Sequence, residues 1–212
     1  MISAIGHARG FMAAWKNSTK KEVVEQKLIA KSANAQFESL KNQLDPHFLF
    51  NSLNVLDSLI EENPVQAQRF TNSMSKIYRY VLEQKDKELV SVEEEIDFAK
   101  TYCELLKTRF EDAVTFDFNI SEEDKKGFVV PLSLQLLLEN SIKHNFATSS
   151  KPLNIKIFTE KGNLIIENNL QTRELPNTST GVGLANIVSR YNLLTERNVF
   201  IEKSEAFFRV KL

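Results

Sequence analysis

One histidine, His47, interrupts an apolar helical run in Gln43-Leu44-Asp45-Pro46-His47-Phe48-Leu49-Phe50-Asn51-Ser52-Leu53-Asn54. A neutral imidazole is nucleophilic near pH 7, so it needs orientation and proton acceptance more than a strong base to attack an electrophilic centre. Asn51 lies one helical turn on and is placed to orient the ring. A second group, Glu139, Asn140, Lys143 and His144, falls within two turns of Leu136-Leu137-Leu138-Glu139-Asn140-Ser141-Ile142-Lys143-His144-Asn145. The Asn140 amide oxygen suits a hard cation, and the two basic side chains suit phosphate oxygens. A third, Thr178-Ser179-Thr180-Gly181-Val182-Gly183-Leu184, leads into a helix, where free amides and the positive helix end favour phosphate. Each has a plainer reading: an inert first-turn histidine, a helix with one solvated face, a tight glycine turn. Their conjunction favours a nucleophile served by a magnesium-bound phosphate.

The elements that would position these groups follow from apolar spacing. Ala30, Ala33, Phe37, Leu40 and Leu44 recur at steps of three and four, and continuing that register would bury His47. Leu49, Leu53, Leu56 and Ile60 resume the pattern after a step of five. The seam therefore rotates at Pro46, a helix-restarting residue, and His47 turns to the solvent side. Residues 23–60 read as one helix broken at Pro46 and ended by Asn63-Pro64. A second helix carries the seam Ala67, Phe70, Met74, Ile77 and Val81, followed by a polar linker at 85–88. The short turn predicts an antiparallel hairpin, and its thin core predicts pairing with a second copy into a four-helix bundle.

Beyond Ser91 the pattern changes. Ser91-Val92-Glu93-Glu94 is a capping box opening a helix to about residue 110. Alternating segments at 114–120, 153–158, 164–167, 199–202 and 207–212 predict strands, with helices at 131–145 and 184–194 between them. The expected fold is α+β: a helical hairpin followed by a mixed sheet covered by helices on one face. The boundaries are 1–21 for a membrane-proximal or N-terminal segment, 22–88 for the hairpin and 89–212 for the sheet domain.

The 212 residues carry a formal charge of -1 and no basic stripe with interleaved aromatics, which disfavours direct nucleic-acid binding. The single cysteine, Cys103, rules out an internal disulfide and suits a reducing compartment. Residues 1–15 are rich in small and apolar side chains and precede Lys16, Lys20 and Lys21, yet fall short of the roughly 20 apolar residues that span a bilayer. Two readings stay open: the end of a transmembrane helix, or an amphipathic terminus.

The segments Pro46 to Asn54, Leu138 to His144 and Gly181-Val182-Gly183-Leu184-Ala185-Asn186 resemble, in order and spacing, the phosphoacceptor, N and G boxes of LytS/YehU-type sensor histidine kinases. The resemblance implies a dimeric phosphoacceptor hairpin, a Bergerat-type ATP-binding domain, and an upstream sensor region linking it to the cytoplasmic face of a membrane. It implies ATP and Mg2+ as cofactors, His47 as phosphoacceptor, with Asn51 and Glu139 assisting, and Asn140 as the magnesium ligand. Lys143, His144, Asn168, Thr180, Gly181, Gly183 and Leu184 would complete nucleotide binding. The implied partner is a response regulator with a DNA-binding output domain. Relatives commonly have Asp-Asn-Gly where this chain has Asn168-Asn169-Leu170; Asn168 keeps a carbonyl acceptor without the charge, and Leu170 lacks glycine's backbone freedom. An ATP hydrolase of the same superfamily would need an acid at Leu136, which disfavours it. A degenerate kinase acting as a dimeric scaffold is the alternative.

Overall fold

The computed structural model describes residues 46–84, 87–171 and 182–212, with side chains from residue 48 in the first stretch and from residue 184 in the last. The His47 side chain, Thr180 and Gly181 lie outside the described residues. The chain divides into two compact units, Met1–Leu49 and Phe50–Leu212. The described part of the first is the opening turn of helix α1 (Pro46–Glu62), which Pro46 begins at a position where its missing N–H is harmless. Farther along α1, Ser52 and Leu59 are buried, while Phe50, Leu53 and Ile60 are exposed. The expected seam is thus split, with Leu49 and Leu56 only half-buried.

Helix α2 (Pro64–Glu83) starts at Asn63, whose Oδ1 accepts from the Gln66 amide at 3.1 Å. Its buried residues are the five of the predicted seam, Ala67, Phe70, Met74, Ile77 and Val81. Their cover includes helix α3 (Val92–Phe110), which packs along α2, and the Tyr80 and Phe98 rings stack with centroids 4.3 Å apart. The sequence pairs this seam with α1 and a second copy; helix α3 covers part of it as well, because its buried residues run from Val92 to Leu106 over an arc wide enough for two partners, α2 and the sheet. Its capping box forms as expected: the Glu94 amide donates to Ser91 Oγ at 3.1 Å, and the Ser91 amide donates to Glu94 Oε2 at 3.0 Å.

Strands β1 (Val90–Ser91) and β3 (Phe128–Val129) form a small antiparallel pair that sequence reading did not find, since two residues carry no periodicity. The main sheet runs β2-β4-β5-β7-β6, from β2 (Val114–Asn119), β4 (Leu153–Glu160), β5 (Asn163–Asn169), β6 (Phe200–Lys203) and β7 (Phe207–Lys211). The β2–β4 pair is parallel and the others antiparallel. Lys161 and Gly162, both at positive φ, make the tight β4–β5 turn. Leu153, Ile155 and Ile157 point to the helices and are buried. On the opposite face one rung crosses all five strands with alternating charge: Asp117, Lys156, Glu167, Arg209 and Glu202. Burying that rung would strip five charges of water, so this face stays open. Helices α4 (Ser133–His144) and α5 (Val182–Leu194) pack on each other, and α4 also packs on β4 and β5. The α+β class, with a mixed sheet and helices, matches the sequence reading. Among the described residues no helix is long and apolar enough to cross a membrane.

Candidate functional site

Helix α4 carries Glu139, Asn140, Lys143 and His144, so what fixes α4 fixes them. Its N-cap, Leu132, sits in the left-handed region at φ 64° and offers no side-chain acceptor to the orphan amides of the first turn. Glu95 of α3 supplies one from a distance. Its Oε1 accepts from the Leu134 amide at 2.9 Å, and its Oε2 from the Leu132 amide at 3.1 Å and the Tyr80 hydroxyl at 2.9 Å. Burial raises the Glu95 carboxyl above its usual range, while these bonds and the positive charge of Arg190 pull the other way. Arg190 of α5 donates to the Pro131 carbonyl at 3.1 Å, and the Tyr191 hydroxyl accepts from the Val130 amide at 3.3 Å. Burial pushes the Tyr191 hydroxyl up to about 12.

The middle of α4 is held from the same side. Glu139 Oε1 accepts from the Tyr102 hydroxyl at 2.9 Å and from Gln135 Nε2 at 2.8 Å, which ties α4 to α3. Asn140, Lys143 and His144 follow toward the C-terminal end, Lys143 exposed and the other two half-buried. Burial lowers the His144 imidazole below its usual value, and repulsion from Lys143 and Lys203 lowers it further. The positive charges of Lys143 and Lys203 both bear on the His144 ring, and such a place welcomes an anion. Lys203 stands on the sheet rung that crosses Phe208 and Asn168.

Asn168 is 2% exposed and meets α4 through Ser141, whose Oγ donates to Asn168 Oδ1 at 3.1 Å. Its Nδ2 donates to the Asn169 carbonyl at 2.7 Å. An amide oxygen has two lone pairs, so Oδ1 keeps capacity for a second donor. Asn169 Oδ1 accepts from the Asn154 amide at 2.7 Å, and Leu170, just past the end of β5, donates its amide to the Ala206 carbonyl at 2.9 Å. Leu170 is not among the non-glycine residues at positive φ, so no glycine is needed there.

The structure thus brings Glu139, Asn140, Lys143, His144 and Asn168 together around α4, with Gly183 and Leu184 in the first turn of the packed helix α5. Asn51 is half-buried on α1, a separate element. Sequence reading missed Glu95, Tyr80 and Arg190. A signal for Glu95 existed: it stands three residues after Val92 and four before Ala99, inside the apolar stripe of α3, where an unpaired acid would be costly.

Residues 35–114 match a family model described as histidine kinase. The chain is 31% identical over 186 residues to sensor histidine kinase YesM of Bacillus subtilis (strain 168), covering 84% of this chain and 32% of that protein. It is 29% identical over 204 residues to sensor histidine kinase YpdA of Escherichia coli (strain K12), covering 89% and 36%. The chain therefore spans about a third of the length of these relatives. Among solved structures, the cytoplasmic segment of histidine kinase QseC aligns at a TM-score of 0.43 and 12% identity, covering 58% of this chain and 74% of that one.

Proposed function

The chain belongs to the histidine kinase family, and from that premise we propose that it is the phosphoacceptor and ATP-binding portion of a sensor kinase. His47 takes the γ-phosphoryl of ATP and passes it to an aspartate of a response regulator, one with a DNA-binding output domain. The observation that carries the ATP reading is the convergence on α4: an amide oxygen at Asn140 for a cation, a basic group at Lys143, His144 and Lys203, and a buried acceptor at Asn168. This donor set fits a nucleotide and Mg2+. Asn140 would hold the ion, which when bound neutralises charge on the transferring phosphoryl group.

In that mechanism Asn168 Oδ1 accepts from the adenine amino group, and Lys143 and His144 bear on the phosphates. Gly183 and Leu184, in the α5 first turn, offer backbone amides to phosphate oxygens, and Thr180 and Gly181 stand just before them in the sequence. A nitrogen of His47 attacks the γ-phosphorus in line as the bond to the ADP oxygen breaks, and Asn51 orients the ring. Glu139 acts through α4, since its Oε1 is committed to Tyr102 and Gln135.

We retain the division into a segment at 1–21, a hairpin domain at 22–88 and a catalytic domain at 89–212, with a sensor region joining the protein to the inner face of the plasma membrane. Exposed Phe50, Leu53 and Ile60 on α1 support homodimer formation through the hairpin. Incubation with γ-labelled ATP and Mg2+ tests the reading: the wild-type chain takes up acid-labile label and His47→Gln takes up none. The second reading, a degenerate kinase serving as a dimeric scaffold, draws on Asn168 standing where relatives carry an acid. A wild-type chain that binds no nucleotide at millimolar concentration would establish that one instead.

A further inference from the structure

Tyr80 is the point from which α2 reaches both ends of the functional stretch of α4. Its hydroxyl donates to Glu95 at 2.9 Å, and Glu95 in turn accepts the Leu132 and Leu134 amides that open α4. Its ring stacks on Phe98 at 4.3 Å, Phe98 lies 6.1 Å from the Tyr102 ring, and the Tyr102 hydroxyl donates to Glu139, the neighbour of Asn140. One route is polar and ends at the first turn; the other is aromatic and ends at the cation-binding turn.

These contacts exceed what packing alone requires. Glu95 is fully buried, and a buried carboxylate persists only when its lone pairs are matched by donors. Tyr80 supplies one of three such donors, and it is the one that comes from a different element than the helix being held. Arg190, which contributes positive charge to Glu95 and bonds Pro131, belongs to α5, the helix whose first turn holds Gly183. Helices α2, α4 and α5 therefore share one buried carboxylate. By chain connection through Asn63, α2 follows the helix that carries His47.

We propose that Tyr80 is a positioning residue of the nucleotide site: through Glu95, and through Phe98 and Tyr102, it sets the α4 helix that presents Asn140, so that the state of α2 and nucleotide binding are energetically coupled. This rests on the ATP reading given above. Coupling of this kind is reciprocal, so nucleotide must tighten α2 to the degree that α2 tightens nucleotide.

Hydrogen exchange and nucleotide titration on the whole chain test it with Tyr80→Phe, which keeps the ring stack and removes only the donor, and Tyr80→Leu, which removes both. Expected without nucleotide is faster exchange at the Leu134 amide in Tyr80→Phe, by about five-fold, the factor equivalent to one net hydrogen bond. Expected with a non-hydrolysable ATP analogue and Mg2+ is a similar loss of affinity in Tyr80→Phe, a larger one in Tyr80→Leu, and slowed exchange along α2 in the wild type. A purely structural tyrosine would lower the melting temperature and leave both the Leu134 exchange and the affinity unmoved, and that result overturns the proposal. Faster Leu134 exchange in Tyr80→Phe, together with no nucleotide binding by any chain, would support Tyr80 as the support of α4 and overturn the ATP reading.

Discussion

Glu95 caps Leu134 across two helices: the carboxylate of α3 takes the amide that Leu132, in its left-handed conformation, leaves without a local acceptor. Removing that oxygen pair strands two buried amides, each costing about 1–3 kcal/mol. Glu95→Ala is accordingly expected to lower unfolding free energy by roughly 3 kcal/mol or more, measured by urea denaturation.

The same carboxylate gives stability a pH dependence whose sign is fixed. Its folded pKa lies above the unfolded value near 4.5, so the native state holds the proton longer than the unfolded chain does. Its contribution is fully present below the unfolded value and is lost as pH rises through the folded one. Glu95→Gln, which carries no titrating proton, should therefore gain stability relative to wild type as pH rises above the unfolded carboxyl value toward the folded one, in paired urea melts. A gap that widens in the wild type's favour would contradict the shift.

Asn140 is expected to govern the magnesium dependence of nucleotide binding. Asn140→Ala should lose about ten-fold or more in affinity measured with Mg2+, and show a much smaller change measured with chelator present.

Asn168→Asp is not a neutral exchange of one acceptor for another. The wild-type Nδ2 donates to the Asn169 carbonyl at 2.7 Å, and an aspartate oxygen in that place would face another acceptor in a buried setting. Loss of roughly 1–3 kcal/mol in stability is expected, read from thermal or urea melts of the two chains.

Leu53 and Ile60 are 46% and 57% exposed on α1. If they form the contact between copies, Leu53→Glu combined with Ile60→Glu should halve the mass seen by light scattering and leave the circular dichroism spectrum in place.

The elements with a clear period were legible in the sequence. Alternation in Leu153 to Phe158 and the seam from Ala67 to Val81 reappear as β4 and the buried face of α2, because burial on one face imposes the period. The partner of that seam was not legible. Periodicity reports that a face is covered, not by what, and α3 covers α2 in the structure. Of the candidate site, the α4 residues could be read from residue type, while Asn168 came only through the family resemblance. The supports Glu95, Tyr80 and Arg190 could not be found by motif, since each acts from another helix through a contact that only the fold brings about.

The parallel pairing of β2 with β4 has a kinetic side. Antiparallel neighbours such as β4 and β5 can zip from a tight turn, but β2 meets β4 only after the whole connection carrying β3 and α4 has closed. Ordering of that loop must precede any gain from the contacts it makes, which places such pairings late in folding. Because α4 is the crossover itself, competence to bind nucleotide should return with the slow phase of refolding, well after helical signal has recovered.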